Sequence, residues 1–510
     1  MHPTLGGSRA GSLDRLAGAE VDVLVIGAGI LGAATAWEAA RGGASVAVVD
    51  QGDIAGATSS ASSKLLHGGL RYLAMGDLKL VREAHRERRL SAERLAPHLV
   101  RPLEFVVPVG RDAPVPLWKV RAGVWLYGSL ARFGDGRSGR IPLSEAASRI
   151  PGLRTDGLAG TVLYNDHQTH DGRLTLAVAQ AAAARGAIVA PYVAVVALRI
   201  SGGRVTGADL VDRLSGALLA VTARSVVNAA GPWVDAVRRM ESAAAGTSVR
   251  LSKGAHLLLE AEGTWRSALT TPLPRGRVSF AIPWEGMLLL GTTDEPFEGD
   301  PAAVAAGDDD QRQILAEASR SLEPWLLDPR RVRSRFAGVR VLPVASRSTA
   351  HIRRETVIGR GPAGMVSVAG GKLTTWHAVG RRAAGMALAE IGLPAPPAGA
   401  TPLPGAAGAA EIDAALARAW PGLDADIRAS LGRHYGTVAL DLLEPARDRP
   451  ELLERIGPDG PDIWAQVPRA RDHEWAATVD DVLRRRTTVA YRGPVAAAVH
   501  ARAAELLGER

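Results

Sequence analysis

The sequence predicts an α/β fold with three parts. These are a Rossmann-like dinucleotide-binding domain, an antiparallel-sheet domain and a C-terminal helical domain. Three observations carry the prediction. The run Val21-Asp22-Val23-Leu24-Val25-Ile26-Gly27-Ala28-Gly29-Ile30-Leu31-Gly32 reads as an apolar strand entering G-x-G-x-x-G and opening a helix. A second glycine-rich helix start, Ala369-Gly370-Gly371-Lys372-Leu373-Thr374-Thr375, lies far downstream, so the nucleotide domain is discontinuous. Between the two lie short strands with turn signals, as in an antiparallel sheet.

Each part of the first motif has a physical task. Gly27 permits the tight turn, Gly29 lets the backbone approach a pyrophosphate, and Gly32 lets the helix pack close to the strand. The unpaired N–H groups and dipole of the helix start suit phosphate. A second apolar strand, Ala44 to Val49, ends on Asp50, an acid placed for ribose hydroxyls. The motif does not separate FAD from NAD.

Composition bounds what else the chain can do. At 510 residues it exceeds one core, and 46% hydrophobic with 22% charged residues is ordinary for a globular protein. With no cysteine, disulfides, cysteine-ligated iron–sulfur clusters and thiol chemistry are excluded, so redox work falls to an organic cofactor. The net charge of +8 favours an anionic contact: a phosphorylated substrate, an acidic lipid surface or nucleic acid. A basic, arginine-rich proteome gives the same charge. Residues 1–19 lack the apolar core of a signal peptide, and no run is long enough to span a bilayer. A cytoplasmic location, soluble or on the membrane surface, is therefore expected.

After Asp50 comes Ala57-Thr58-Ser59-Ser60-Ala61-Ser62-Ser63-Lys64-Leu65-Leu66-His67-Gly68-Gly69-Leu70-Arg71-Tyr72-Leu73. Such a density of small hydroxyl residues suits a chain laid along a cofactor. Asp77 to Pro97 reads as a charged helix with an apolar stripe. The segment Leu117 to Tyr127 mixes cations with Trp and Tyr, a pattern shared by interfacial membrane segments and by core helices with snorkelling ends. An Ala-rich helix spans Asp171 to Arg185, followed by strands Ile188–Val196, Val205–Val211 and Ser225–Asn228, the last leading into Ala229-Ala230-Gly231-Pro232-Trp233. Leu257–Glu260, Val278–Pro283 and Met287–Thr292 are short strands of the second domain. The stretch Leu393 to Ala410 is a linker, and the remainder is mainly helical.

No metal-ligand spacing and no G-x-S-x-G elbow is present. Instead, basic groups stand beside the glycine-rich segments: Arg71, Arg340, the pair Arg353-Arg354, and Lys372. Each alone reads as a solvated charge. Gathered in one pocket they would be costly without an anion, and a phosphate is the natural occupant. His67 and His256 lie in or beside these stretches. An imidazole can take a hydroxyl proton while hydride leaves the adjacent carbon; each can equally be a structural histidine holding a carbonyl.

Ala57–Leu73, Asn228–Trp233, Lys253-Gly254-Ala255-His256, Gly291-Thr292-Thr293-Asp294, Gly338-Val339-Arg340 and Gly370–Thr375 together resemble FAD-dependent, quinone-linked glycerol-3-phosphate dehydrogenases. Glu474 to Thr487 looks like that family's helical cap. The resemblance implies FAD, oxidation of sn-glycerol 3-phosphate to dihydroxyacetone phosphate, and electron delivery to membrane quinone. It divides the chain into an FAD-binding domain (20–95, 160–245 and 355–393), a substrate domain (96–159 and 246–354) and a C-terminal helical domain (394–510). The cofactor-binding residues it implies are Gly27, Gly29, Gly32, Asp50, Thr58, Ser59, Ser60, Ser63, Lys64, His67, Val193, Ala230, Gly231, Trp233, Gly371, Lys372, Leu373 and Thr374. Arg71, Tyr72, His256, Arg340, Arg354 and Lys372 become the substrate pocket, with His256, Arg340 and His67 as the catalytic candidates and no metal. Four positions depart from the family pattern: Asp50 stands for glutamate, Trp376-His377 for Tyr-Arg, and Ala255 for serine.

The expected partners are glycerol 3-phosphate, a membrane quinone and the cytoplasmic membrane surface, with a homodimer left open. Alternatives are an FAD amino-acid or hydroxy-acid oxidase, which needs a single carboxylate-binding arginine, and a glycerol-3-phosphate oxidase using oxygen. Nucleic acid is disfavoured, because no Lys/Arg stretch is interleaved with aromatics at stacking spacing.

Overall fold

The computed structural model describes residues 6–70, 73, 77–131, 134–344 and 356–508. Strand β1 (Glu20–Ile26) is apolar on both faces, as a strand covered on both sides must be. It pairs in parallel with β2 (Val46–Asp50) on one side and with β10 (Leu218–Asn228) on the other. The glycine turn therefore sits at a topological switch point, where a crevice opens beyond the strand ends. Among the described residues the eight-stranded sheet also holds β7 (Ile188–Pro191), β8 (Val193–Ser201), β9 (Arg204–Asp212), β17 (Thr356–Arg360) and β18 (Val366–Gly370). Helices Ile30–Arg41, Asp171–Ala183 and Trp376–Glu390 cover one face, where Trp37 and Trp376 stack at 6.1 Å.

The second sheet has ten strands among the described residues. They are β3 (Leu65–Leu66), β4 (Arg101–Gly110), β5 (Gly139–Ile141), β6 (Leu158–Gln168), β11 (Val249–Glu260), β12 (Ala268–Pro272), β13 (Val278–Trp284), β14 (Met287–Gly291), β15 (Glu295–Phe297) and β16 (Val332–Pro343). β6 pairs with β4, so the sheet crosses the boundary expected at 159/160, and the segment 158–168 belongs with the substrate sheet. Its second half, Asn165-Asp166-His167-Gln168, is buried and polar, which hides it from any hydrophobic-alternation test.

The helical C-terminal part has its own apolar core, centred on Leu431, Leu443, Ile463 and Leu483. Buried and half-buried ion pairs join it to the rest. Arg173 grips Glu474 through two bonds of 2.8 and 3.0 Å, Arg485 and Arg486 both reach Asp53, and Arg433 meets Glu285 at 3.1 Å. Among the described residues no helix is long and apolar enough to cross a membrane.

Candidate active site

One cavity of about 2220 Å³ runs between the two sheets. That exceeds the roughly 300–1,000 Å³ of a single small-ligand pocket. At one end its wall is the turn Gly27–Gly29, with Asp50, Gln51 and Asp53 beside it. It continues along Thr58–Ser63, Val193, Ala230–Trp233 and Gly370–Leu373, and reaches the face of β16 at Phe336, Gly338 and Arg340.

The nucleotide end is built from backbone. Gly27 has φ +105°, and a side chain there would strike Ala229 O at 2.5 Å. Gly32 does not touch the cavity. A Cβ on it would lie 1.8 Å from Gly27 O, so its absence is what seats the helix against the turn. Ser59 Oγ accepts the Ile30 N–H at 2.9 Å, tying the hydroxyl-rich run to the helix start. The Asp50 carboxylate accepts the N–H groups of Ala28 (2.6 Å) and Gly52 (2.9 Å). Burial pushes its pKa up to about 6, the Asp53 charge adds to this, and the two N–H groups oppose it. The departure from glutamate thus leaves an acid that is still in the cavity wall. These residues fit a dinucleotide: a cradle that any Cβ would fill, continuous with a cavity long enough to reach the second sheet.

The substrate end is built from side chains on paired strands. β11 and β16 place Ser252 opposite Arg340, Gly254 opposite Gly338, and His256 opposite Phe336, and such pairs share one face. Arg340 lies across Gly254, where a Cβ would come within 2.7 Å of Nη2. Its guanidinium donates to Asp294 Oδ1 and Thr292 Oγ1, both at 2.9 Å, and to Thr293 O at 3.2 Å. Gly338 leaves room for Ala61, whose Cβ would stand 2.8 Å from a side chain there. The hydroxyl-rich run can therefore lie flat on β16.

His256 is buried, its ring stacked on Phe336 at 5.0 Å and 15°. Burial holds its pKa well below the usual value, with the charges of Arg340 and Lys64 adding to the effect. It does not reach the cavity wall. Ser63 does, and Ser63 Oγ lies 2.9 Å from His256 Nε2. His256, expected at the substrate, therefore meets the cavity only by way of the Ser63 hydroxyl.

Two more of the residues expected at the cofactor sit behind the cavity wall. Lys64 turns away from the cavity, at φ +60°, and its ammonium meets Asp171 Oδ1 at 2.6 Å with both side chains fully buried. Thr374 is buried and grips the backbone of His67, accepting its N–H (2.9 Å) and donating to its C=O (3.0 Å). It holds His67 in the wall instead of facing the cavity. Lys372 and Arg340 do line the same cavity. Arg71, Tyr72 and Arg354 lie outside the described residues.

The other departures from the family pattern point elsewhere. Trp376 packs on Trp37 and donates to Ser91 Oγ at 3.2 Å. His377 sits between Glu87 (3.1 Å) and Glu38 (3.4 Å), and these partners, against the opposing effect of burial, raise its pKa to about 9. Ala255 faces the core of the substrate sheet.

Sequence reasoning missed several wall residues. Tyr192, Arg213, Arg484 and Arg485 line the nucleotide end, and Asp166, Arg277, Phe336 and Tyr491 line the other. Asp294 was visible only as the last residue of a quoted motif. Nothing local marks the others, because they arrive from separate elements. Among the described residues no group of three or more His, Asp or Glu could hold a metal ion.

Residues 22–388 match the family "FAD dependent oxidoreductase", and residues 398–510 match "C-terminal domain of alpha-glycerophosphate oxidase". The chain is 34% identical over 501 residues to a glycerol-3-phosphate dehydrogenase of Mycobacterium leprae, covering 95% of this chain and 84% of that one. It is 35% identical to one from Synechocystis, covering 92% and 89%. The structure of the glycerol-3-phosphate dehydrogenase from Bacillus halodurans complexed with FAD superposes with a TM-score of 0.78 at 28% identity, covering 98% of this chain and 94% of that one. An α-glycerophosphate oxidase from Mycoplasma pneumoniae shares the fold, with a TM-score of 0.59 at 17% identity, over 76% of this chain and 99% of that one. The chain belongs to the glycerol-3-phosphate dehydrogenase family of FAD-dependent oxidoreductases.

Proposed function

We propose that this enzyme oxidises sn-glycerol 3-phosphate to dihydroxyacetone phosphate and delivers the electrons to a membrane quinone. The observation that carries the reading is the single cavity joining the Gly27–Gly29 cradle to Lys372, Ser63 and Arg340. FAD, when bound, supplies the acceptor for the hydride leaving C2. Gly27, Gly29 and Asp50 would hold its ADP portion, and Ser59, Ser60, Ser63, His67 and Leu373 would line the rest.

Arg340 and Lys372 are the phosphate-binding cations among the described residues. Arg340 pairs with Asp294 Oδ1 at 2.9 Å, and a phosphate dianion would be a stronger, multi-oxygen partner for the same guanidinium. The C2 hydroxyl proton passes to Ser63 Oγ as the Ser63 proton passes to His256 Nε2. Burial keeps His256 neutral, with a lone pair to offer, and also weakens it as a base, so the proton reaches it only as hydride leaves C2. Fixing the phosphate also fixes the C2–H bond, and such positioning is a large part of the rate in this class of reaction.

The membrane reading rests on the helix Leu117–Leu130. It exposes Trp118 (69%) and Trp125 (60%), flanked by exposed Lys119 and Arg121, while Val120, Gly123 and Leu126 belong to the cavity wall. Trp beside cations is the composition of an interfacial anchor. We place the protein on the cytoplasmic membrane surface. We assign 158–168 to the substrate domain, and otherwise keep the expected domain boundaries.

The reading is tested by adding glycerol 3-phosphate anaerobically to the purified flavoprotein. Bleaching of the flavin absorbance is expected with glycerol 3-phosphate and not with D-amino acids or glycine; the reverse pattern overturns the reading. Trp118→Ser/Trp125→Ser should reduce sedimentation with anionic vesicles and quinone reduction, while dye-coupled turnover stays at the wild-type rate.

A further inference from the structure

Lys64, expected among the cofactor contacts, is held in a setting of its own. Lys64 and Asp171 are both fully buried, and three separate parts of the molecule meet at them. The Lys64 ammonium donates to Asp171 Oδ1 at 2.6 Å and to Ser60 O at 2.5 Å. It is also enclosed by the rings of Phe336 (5.1 Å), Tyr491 (5.3 Å) and Trp284 (5.4 Å), two from the substrate sheet and one from the C-terminal part. The second carboxylate oxygen, Asp171 Oδ2, accepts both the backbone N–H (3.0 Å) and the hydroxyl (2.7 Å) of Ser62. Ser62 Oγ in turn accepts the Lys64 N–H at 3.1 Å.

The turn Ser60–Lys64 is thus wrapped around one ion pair, with Ser60, Ser62 and Lys64 all tied to it. Ser63, between two tied residues, is the one whose side chain is left to face His256. Its hydroxyl can bridge cavity and imidazole only while the turn keeps this shape. The Phe336 ring adds a second link, since it lies against the Lys64 ammonium and also stacks on His256.

We propose that Lys64 and Asp171 are positioning residues for proton transfer, locking the Ser60–Lys64 turn so that the Ser63 hydroxyl stands between the substrate hydroxyl and His256. The inference rests on the proposed His256 base. Its chemistry adds no step: the substrate hydroxyl proton still moves to Ser63 and the Ser63 proton to His256. What the pair contributes is the geometry of that bridge.

Removing one partner leaves a buried charge alone, so Lys64→Met or Asp171→Asn can fail for lack of stability. The decisive variant is the double, Lys64→Met/Asp171→Asn, which removes both charges together. It should fold, retain FAD and unfold within a few degrees of wild type. Its anaerobic flavin-reduction rate with glycerol 3-phosphate should fall about 10- to 100-fold, a part of the roughly 10²–10⁴-fold that acid–base help supplies. KM should stay within about twofold, and the solvent deuterium isotope effect on reduction should rise. A folded, FAD-loaded double variant that is reduced at the wild-type rate overturns the proposal. If the double variant does not fold, Ser62→Ala loosens the same turn without changing charge. A several-fold slower reduction supports the proposal, and the wild-type rate overturns it. Ser63→Ala and His256→Asn separate the two layers of argument. If both are reduced at the wild-type rate, the base assignment fails. If both are slow while the double variant is fast, only the role of Lys64 and Asp171 falls.

Discussion

The two ends of the cavity are built by different means. At the nucleotide end the turn itself is built from backbone, within one stretch of chain, and glycines decide it by what they lack, while side chains such as Tyr192, Arg213 and Arg485 only surround it. At the substrate end they come from side chains of Ser63, His256, Arg340 and Lys372, brought together by strand register and by a turn wrapped around a buried ion pair. The first end can be lost by adding one methyl group. The second can be lost only by removing functional groups or by loosening what aims them.

The largest expected effect comes from testing the backbone end. Gly32→Ala puts a Cβ 1.8 Å from Gly27 O, a clash with backbone that no side-chain motion relieves. The variant should be recovered without FAD or not at all, measured as the absorbance ratio of flavin to protein. A fully loaded Gly32→Ala enzyme would show that the close helix–turn packing is not what forms the cradle.

Next is the side-chain end. Arg340→Ala should load FAD normally and lose about 10³-fold in kcat/KM for glycerol 3-phosphate, or ~4 kcal/mol. The loss is expected because Arg340 stands at the substrate end, where its partners include Thr292, Thr293 and Asp294. An unchanged kcat/KM would sink the phosphate-clamp reading. Loss of FAD together with activity would erase the distinction between the two ends.

This difference also explains what was legible in the sequence. The β1–turn–helix unit could be read because its period and its glycines are local. Lys64 could not. A lysine in a hydroxyl-rich run looks cofactor-facing, and its direction is set by a positive φ and by Asp171, far along the chain. Thr374 misled in the same way, since its partner is the backbone of His67. His256 was found, but the Ser63 hydroxyl in front of it depends on a turn that no residue pattern encodes. β6 was hidden because the buried residues of its second half are polar, with Asp166 satisfied by Arg88, Tyr127 and the Gly68 N–H.

A smaller effect, in stability, comes from the histidines. Burial leads in lowering His85, His98 and His167 to about 3, and places His170 and His256 well below their usual value. Each is neutral in the folded protein but protonates near 6.5 once unfolded, so below that pH the unfolded state binds more protons. Stability should fall as pH drops below about 6.5, by up to ~1.4 kcal/mol per group per pH unit. His377 acts with the opposite sign. Its folded pKa of about 9 gives stability that is full below 6.5 and lost as pH rises through 9. Melting temperature against pH should therefore peak near neutrality, and His377→Gln should flatten only the alkaline limb.

The smallest effect should come from Ala255→Ser, which restores the family's usual residue beside His256. Ala255 alternates with Gly254 and His256 along β11, so its side chain points into the apolar core of the substrate sheet with Leu257 and Leu290. Its N–H is already held by Thr293 Oγ1 at 2.9 Å. A serine hydroxyl placed there needs a partner within that core, so a stability loss of about 1 kcal/mol is expected. Because the opposite face carries His256 and Arg340, kcat/KM for glycerol 3-phosphate should stay within about twofold. A gain of tenfold or more would mean that the strand's two faces are coupled through Thr293, which contacts both the Ala255 N–H and the Arg340 guanidinium. The substrate end would then include its own backing.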